Sequence, residues 1–255
     1  MNEKRVFVDY EEFLVDFDKL GNELCGSQGF CLIKDNFIRK IYFKPRTIKY
    51  DLSKYKSSKN SFPLIYLYDV MEPDSEKAIG ELMEYFPKES IKWTLNGNVE
   101  IDNLIKHYYE IMMEIRKYYQ INMYDLCEPN LLYEEKTGFS IIDTANWTIN
   151  EDDNNPINKE RLNRSLSNVL YDDILGITPI NITDLNIYCN LKKYGKLGLD
   201  LYKILFSSIM DDEHHFIEML ELYREIFKNG DLGPVKTIKD IENYTKILKK
   251  GWFYW

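Results

Sequence analysis

Asp125, Asn130 and Asp143 are the residues whose types and spacing point most directly to chemistry. Asp125 and Asn130 stand five apart in Asp125-Leu126-Cys127-Glu128-Pro129-Asn130, and Asp143 closes the apolar run Phe139-Ser140-Ile141-Ile142, thirteen residues after Asn130. A carboxylate, a carboxamide and a second carboxylate around a tight loop are the groups a Mg-nucleotide site needs: one base for an attacking hydroxyl and hard oxygen ligands for the metal. The same residues also suit a capped turn between a helix and a hairpin, because Asp, Asn and Pro are ordinary turn residues.

The elements that must position them change character near residue 95. Upstream, Phe30-Cys31-Leu32-Ile33 and Phe37 to Phe43 are β-prone runs joined by the turn Lys34-Asp35-Asn36, and Phe62 to Val70 and Ala78 to Phe86 flank a polar connection. They predict a small antiparallel sheet. From Ile101 the apolar residues Leu104, Ile105, Tyr108, Ile111, Met112 and Ile115 recur at three- and four-residue spacing, the stripe of a long buried helix. Two short strands, Leu131 to Tyr133 and Phe139 to Ile142, follow around Lys136-Thr137-Gly138. The remainder reads as helices over Lys159–Asp173, Thr183–Tyr194, Gly198–Met210, Glu213–Asn229 and Ile238–Lys249, with Thr237 and Asp240 spaced as a capping box. The polar run Asn150 to Lys159 reads as a mobile loop.

Composition narrows the function classes. With 33 Lys and Arg against 42 Asp and Glu, the formal charge of -9 argues against a general nucleic-acid binder, which needs clustered cations. Cys25, Cys31, Cys127 and Cys189 form no CxxC pair, so neither a zinc ribbon nor a disulfide framework is indicated. No signal sequence or membrane-spanning apolar run is found, and the expectation is a cytoplasmic protein with no membrane partner. Asp211 and His215, spaced i, i+4, invite a metal reading, but an acidic helix N-terminus beside the macrodipole explains them better. His107 reads as a packed histidine, and Trp252-Phe253-Tyr254-Trp255 as an aromatic end for packing or for a partner.

Taken in order, these motifs resemble the protein kinase superfamily from about Leu24 to about Ile149. Asp125 to Asn130 is similar to the catalytic loop HRDLxxxxN, and Asp143-Thr144-Ala145 to the DFG position with the Asp kept. Gly26-Ser27-Gln28-Gly29 is similar to the last two glycines of GxGxxGxV, Phe37 to Ile41 to the VAIK strand, and Met83-Glu84-Tyr85-Phe86 to the hinge that contacts adenine. The resemblance implies a two-lobe α+β kinase-like domain, with a sheet N-lobe over residues 1–87 and a helical C-lobe over 88–255, and ATP with Mg in the cleft. It implies Asp125 as the base, Asn130 and Asp143 as Mg ligands, Lys40 on the phosphates, and Gly26, Gly29, Glu84 and Phe86 around the nucleotide.

The departures bear on function. Met123-Tyr124 replaces His-Arg, removing the arginine that reads a phosphorylated activation loop, and Cys127 replaces the basic residue two after the catalytic Asp. Between Lys40 and Phe62 the sole acid is Asp51, so the usual glutamate partner of the lysine is missing there, and Arg39 and Lys44 rival Lys40 itself. The expectation is an atypical bacterial or phage-type phosphotransferase acting on a hydroxyl of a protein substrate. The alternatives are a pseudokinase that works by contact with a partner protein, and a small-molecule kinase of the aminoglycoside or choline type to whose acidic pocket Glu128 would contribute.

Overall fold

The computed structural model describes residues 3–7, 11, 22–26, 28–48, 61–95, 98–118, 120–144, 147–149, 157–177, 182–210 and 215–250. Asp51, Asp211, His214, the aromatic residues Trp252 to Trp255 and positions 150–156 of the polar run lie outside them. The protein is a mixed α+β structure that divides into two compact units: Met1–Pro87 with Gln120–Tyr124 and Thr144–Glu151, and Lys88–Tyr119 with Asp125–Asp143 and Asp152–Trp255.

The first unit is built on β1 (Glu3–Val6), β2 (Asn22–Cys25), β3 (Gly29–Lys34), β4 (Phe37–Thr47), β5 (Ile65–Val70) and β6 (Lys77–Glu84), which form one sheet in the order β1-β5-β6-β4-β3-β2. The wholly antiparallel sheet expected from the sequence is corrected in one respect: β1 pairs parallel to β5, so the sheet is mixed. β1 is an edge strand with charged residues, and an edge needs only one paired side, which is why Glu3-Lys4-Arg5-Val6 carries little strand signal. β4 runs four residues beyond the Phe43 end read from the sequence. It accommodates Pro45 where its register with β6 shifts between Ile41 and Arg46, a bulge being the place where a strand tolerates proline.

Period-two alternation splits this sheet's apolar residues onto two faces. Phe7, Leu32, Ile41 and Ile79 pack together on one, and Tyr42, Ile65, Tyr68, Val70, Ala78 and Met83 on the other. A sheet buried on both faces has no solvated side, so charged residues on its central strand must find partners within it. β8 (Ile121–Asn122) and β11 (Thr148–Ile149), also in this unit, pair antiparallel, and Phe62 meets Trp147 edge-to-face at 5.2 Å. Neither of these two-residue strands was legible in the sequence.

The second unit contains β7 (Glu89–Ser90), α1 (Ile91–Thr94), α2 (Ile101–Lys117), β9 (Leu131–Glu134), β10 (Gly138–Ile141), α3 (Ile157–Asn168), α4 (Ile182–Lys192), α5 (Gly195–Met210), α6 (Phe216–Ile226) and α7 (Ile238–Leu248). α2 buries Ile101, Leu104, Tyr108, Ile111, Met112 and Ile115 of the stripe read from the sequence and leaves Ile105 half-buried, each fully buried aliphatic contributing about 1.5–3 kcal/mol. α3 continues into a π-helical turn, Val169–Leu175. α7 opens with the expected capping box: Thr237 Oγ1 accepts from the Asp240 N–H, and Asp240 Oδ2 accepts from the Thr237 N–H. His107 is buried, bonded through Nδ1 to Glu110 and through Nε2 to the Glu135 carbonyl.

Candidate functional site

Asp125, Asn130 and Asp143 all belong to the second unit. The loop that carries the first two is closed by backbone bonds, the Cys127 N–H donating to the Asp125 carbonyl at 2.9 Å and the Asn130 N–H to the Cys127 carbonyl at 2.9 Å. Glu128–Asn130 then forms one 3-10 turn with Pro129 in its first positions, where a missing N–H costs nothing. β9 leaves directly from this turn and returns as β10, and the Ile142 N–H donates to the Asn130 carbonyl at 2.9 Å. That bond brings the residue before Asp143 against Asn130, so thirteen residues of sequence close into one constellation.

Three remote residues hold the loop from outside it. Ser165 on α3 donates its hydroxyl to the Leu126 carbonyl at 2.8 Å, Ser90 at the end of β7 donates to the Glu128 carbonyl at 2.8 Å, and Asn168 donates to Glu128 Oε1 at 3.1 Å. Ser165 is buried, so the bond it makes is shielded from water. Nothing in the sequence marked these supports, because a serine in a helical run carries no signal of what it faces.

The backbone at both aspartates is left-handed, with φ 61° at Asp125 and 58° at Asp143. The only other non-glycine residue in this region among those described is Asp35, in the β3–β4 turn. Asp and Asn visit this region more readily than other side chains because their short polar groups bond locally, and surrounding bonds fix the conformation. Those bonds are present at Asp125, whose carbonyl also accepts from Asn130 Nδ2 at 2.9 Å. Asn130 Nδ2 also lies 3.5 Å from Cys127 Sγ. The carboxamide oxygen of Asn130 is a hard neutral donor by its chemistry. Asp125 is exposed, and Asn130 and Asp143 are half-buried.

Burial is the main cause that pushes the Cys127 thiol above the ordinary thiol range. Asn130 lowers it, and Glu128, Asp125 and Asp143 each raise it further. Among the described residues no group of three His, Cys, Asp or Glu side chains is arranged to hold a metal by itself. An Asp carboxylate with a carboxamide oxygen is the partial, all-oxygen set that Mg accepts when phosphate and water complete its shell, so the residues fit that ion.

In the first unit, the N–H of Gly26 donates to the Gly29 carbonyl at 2.9 Å, closing the turn between β2 and β3. A Cβ on Gly29 would stand 2.0 Å from the Ile41 carbonyl oxygen, so glycine there is required by the close approach of β4. Gly26 is exposed and a Cβ there would make only ordinary contact. Lys40 lies on the Tyr42 face of β4 and is 8% exposed, while Arg39 turns to the opposite face and is 5% exposed. Arg39 forms a two-point ion pair with Asp69, at 2.9 and 2.6 Å, and is committed to the sheet; Lys44 is exposed. At the expected hinge, the Glu84 N–H donates to the Leu64 carbonyl and the Tyr85 N–H to the Asn36 carbonyl, and Phe86 is buried. The Glu84 carboxylate accepts from the Leu64 N–H at 2.9 Å, so that residue is engaged at both ends.

No helix among the described residues is long and apolar enough to cross a membrane. Compared with known protein families and with curated proteins, the chain matches none.

Proposed function

We propose that the protein is an ATP-dependent phosphotransferase of atypical, two-lobe protein-kinase-like fold, passing the γ-phosphate of Mg-ATP to a hydroxyl of a protein substrate. The observation that carries this reading is the pair of left-handed aspartates tied to one asparagine: Asn130 bonds the Asp125 carbonyl through its side chain, and its own carbonyl takes the Ile142 N–H beside Asp143. Bonds that converge on two carboxylates and a carboxamide from separate segments support the reading of groups kept in place for work. Asp125, exposed, accepts the proton of the attacking hydroxyl. Asn130 and Asp143 hold Mg, which when bound supplies electrostatic neutralisation of phosphate charge. Lys40 takes the phosphates, and Glu84 and Phe86 at the hinge border the adenine.

The test is incubation with labelled ATP, with and without Mg, together with a mixed protein extract, beside a thermal-shift measurement. A Mg-dependent rise in melting temperature and transfer of label are expected, and both vanish in Asp143→Ala while its fold survives. Mg-ATP binding that is unchanged in Asp143→Ala sinks the assignment. One observation favours a second reading, a pseudokinase that binds nucleotide and acts by contact: Cys127, a half-buried thiol ringed by carboxylates, stands where a phosphate-stabilising cation is expected. Binding without transfer would select it.

A further inference from the structure

We infer that Glu81 on β6 is the positioning residue for the Lys40 ammonium, supplied from within the sheet; this rests on the reading of Lys40 as the phosphate cation. The β4–β6 register sets Lys40 directly opposite Glu81. Facing residues of an antiparallel pair project to the same side with Cβ atoms about 4.5–5.5 Å apart, within reach of an ammonium and a carboxylate. Lys40 is 8% exposed and Glu81 1%.

Tyr42 completes the arrangement. It follows Lys40 by two residues, so both side chains share a face, and its phenol hydrogen-bonds Glu81. The Lys40 ammonium lies 5.8 Å from the centre of the Tyr42 ring, close enough for attraction to its face. Tyr68 lies opposite Glu81 from the other side, on β5. The flanking ladder positions, Arg39 with Leu82 and Ile41 with Gly80, set the Lys40–Glu81 separation by main-chain register. Strand pairing sets Lys40 and Glu81 opposite one another whenever the sheet is folded, so the proposed partner of the lysine is in place without the movement of any helix.

The test combines two measurements on the full chain. Thermal unfolding of Lys40→Met, Glu81→Gln and the double variant reads the pair without nucleotide. Each single change is expected to lower the melting temperature, and the double variant to lose less than the sum. Titration with Mg-ATP and with adenosine reads the positioning. Glu81→Gln is expected to weaken Mg-ATP about tenfold, the scale of one lost charge-assisted contact, and to leave adenosine unchanged. Glu81→Asp, which keeps the charge but retreats by one methylene, should recover only part of the loss. Should Glu81→Gln fail to fold, Glu81→Asp carries the test, its retreat by one methylene still weakening ATP and sparing adenosine. Additive singles overturn the pair, whatever ATP does. Coupled singles with ATP affinity unchanged, or with ATP and adenosine weakened together, overturn the positioning role. A parent that binds no Mg-ATP removes the proposed function, and coupling in the unfolding cycle would then show a pair with a structural role alone.

Discussion

Replacing Asp125 by asparagine separates proton acceptance from the main-chain bonds that close the loop. The Cys127 N–H and Asn130 Nδ2 both bond the main-chain oxygen of residue 125, which the substitution leaves in place. The side chain is exposed, so no cavity opens. Its φ of 61° is tolerated by Asp and Asn, whose short polar side chains bond locally, whereas alanine there pays roughly 1–2 kcal/mol. Asp125→Asn is therefore expected within about 0.5 kcal/mol of the parent in urea unfolding, and Asp125→Ala lower by roughly 1–2 kcal/mol. Phosphate transfer falls by about 10²–10⁴ in both, the usual weight of a general base, while Mg-ATP affinity in Asp125→Asn stays near the parental value. The assays are urea unfolding, nucleotide titration and transfer of labelled phosphate. Transfer by Asp125→Asn within about tenfold of the parent would refute the assignment of the base. Equal stability of the Asn and Ala variants would refute the argument from backbone strain.

Three further outcomes are expected. Gly138→Ala should cost about 2–4 kcal/mol in urea unfolding, since φ is 76° and the new Cβ would stand 2.7 Å from Nδ1 of the buried His107; a loss under about 1 kcal/mol would show that the hairpin and α2 yield easily. Cys127 should alkylate slowly near neutral pH, and Asp125→Asn or Asp143→Asn should each speed it by removing a carboxylate that raises the thiol; rates unchanged in both would place the acids farther away than described. Asp240→Ala should cost about 1 kcal/mol near neutral pH. Burial pushes the Asp240 carboxyl up, but hydrogen bonds from the Lys236 and Thr237 N–H groups and the Thr237 hydroxyl outweigh it and hold the group below its usual range. A depressed folded-state pKa stabilises above the unfolded value and loses that contribution as pH falls through the folded one, so the gap between parent and variant should close in strong acid. A gap that widens on acidification would contradict the sign.

Much of this protein was legible in its sequence because the signals were local. The α2 stripe, the β3–β4 and β5–β6 hairpins, the β9–β10 pair and the Thr237–Asp240 cap each follow from residues within a few positions of one another, where periodicity, turn chemistry and capping act. The spacing of Asp125, Asn130 and Asp143 was legible for the same reason. What joins them was not: the left-handed backbone of the two aspartates, the Ile142–Asn130 bond and the supports from Ser90, Ser165 and Asn168 depend on segments far apart along the chain. The parallel strand β1 escaped because its partner is more than sixty residues away and an edge needs no alternating pattern. The acid that faces Lys40 across the sheet is Glu81, outside the segment between Lys40 and Phe62, since strand pairing, a non-local event governed by backbone hydrogen bonds, decides which charge faces which.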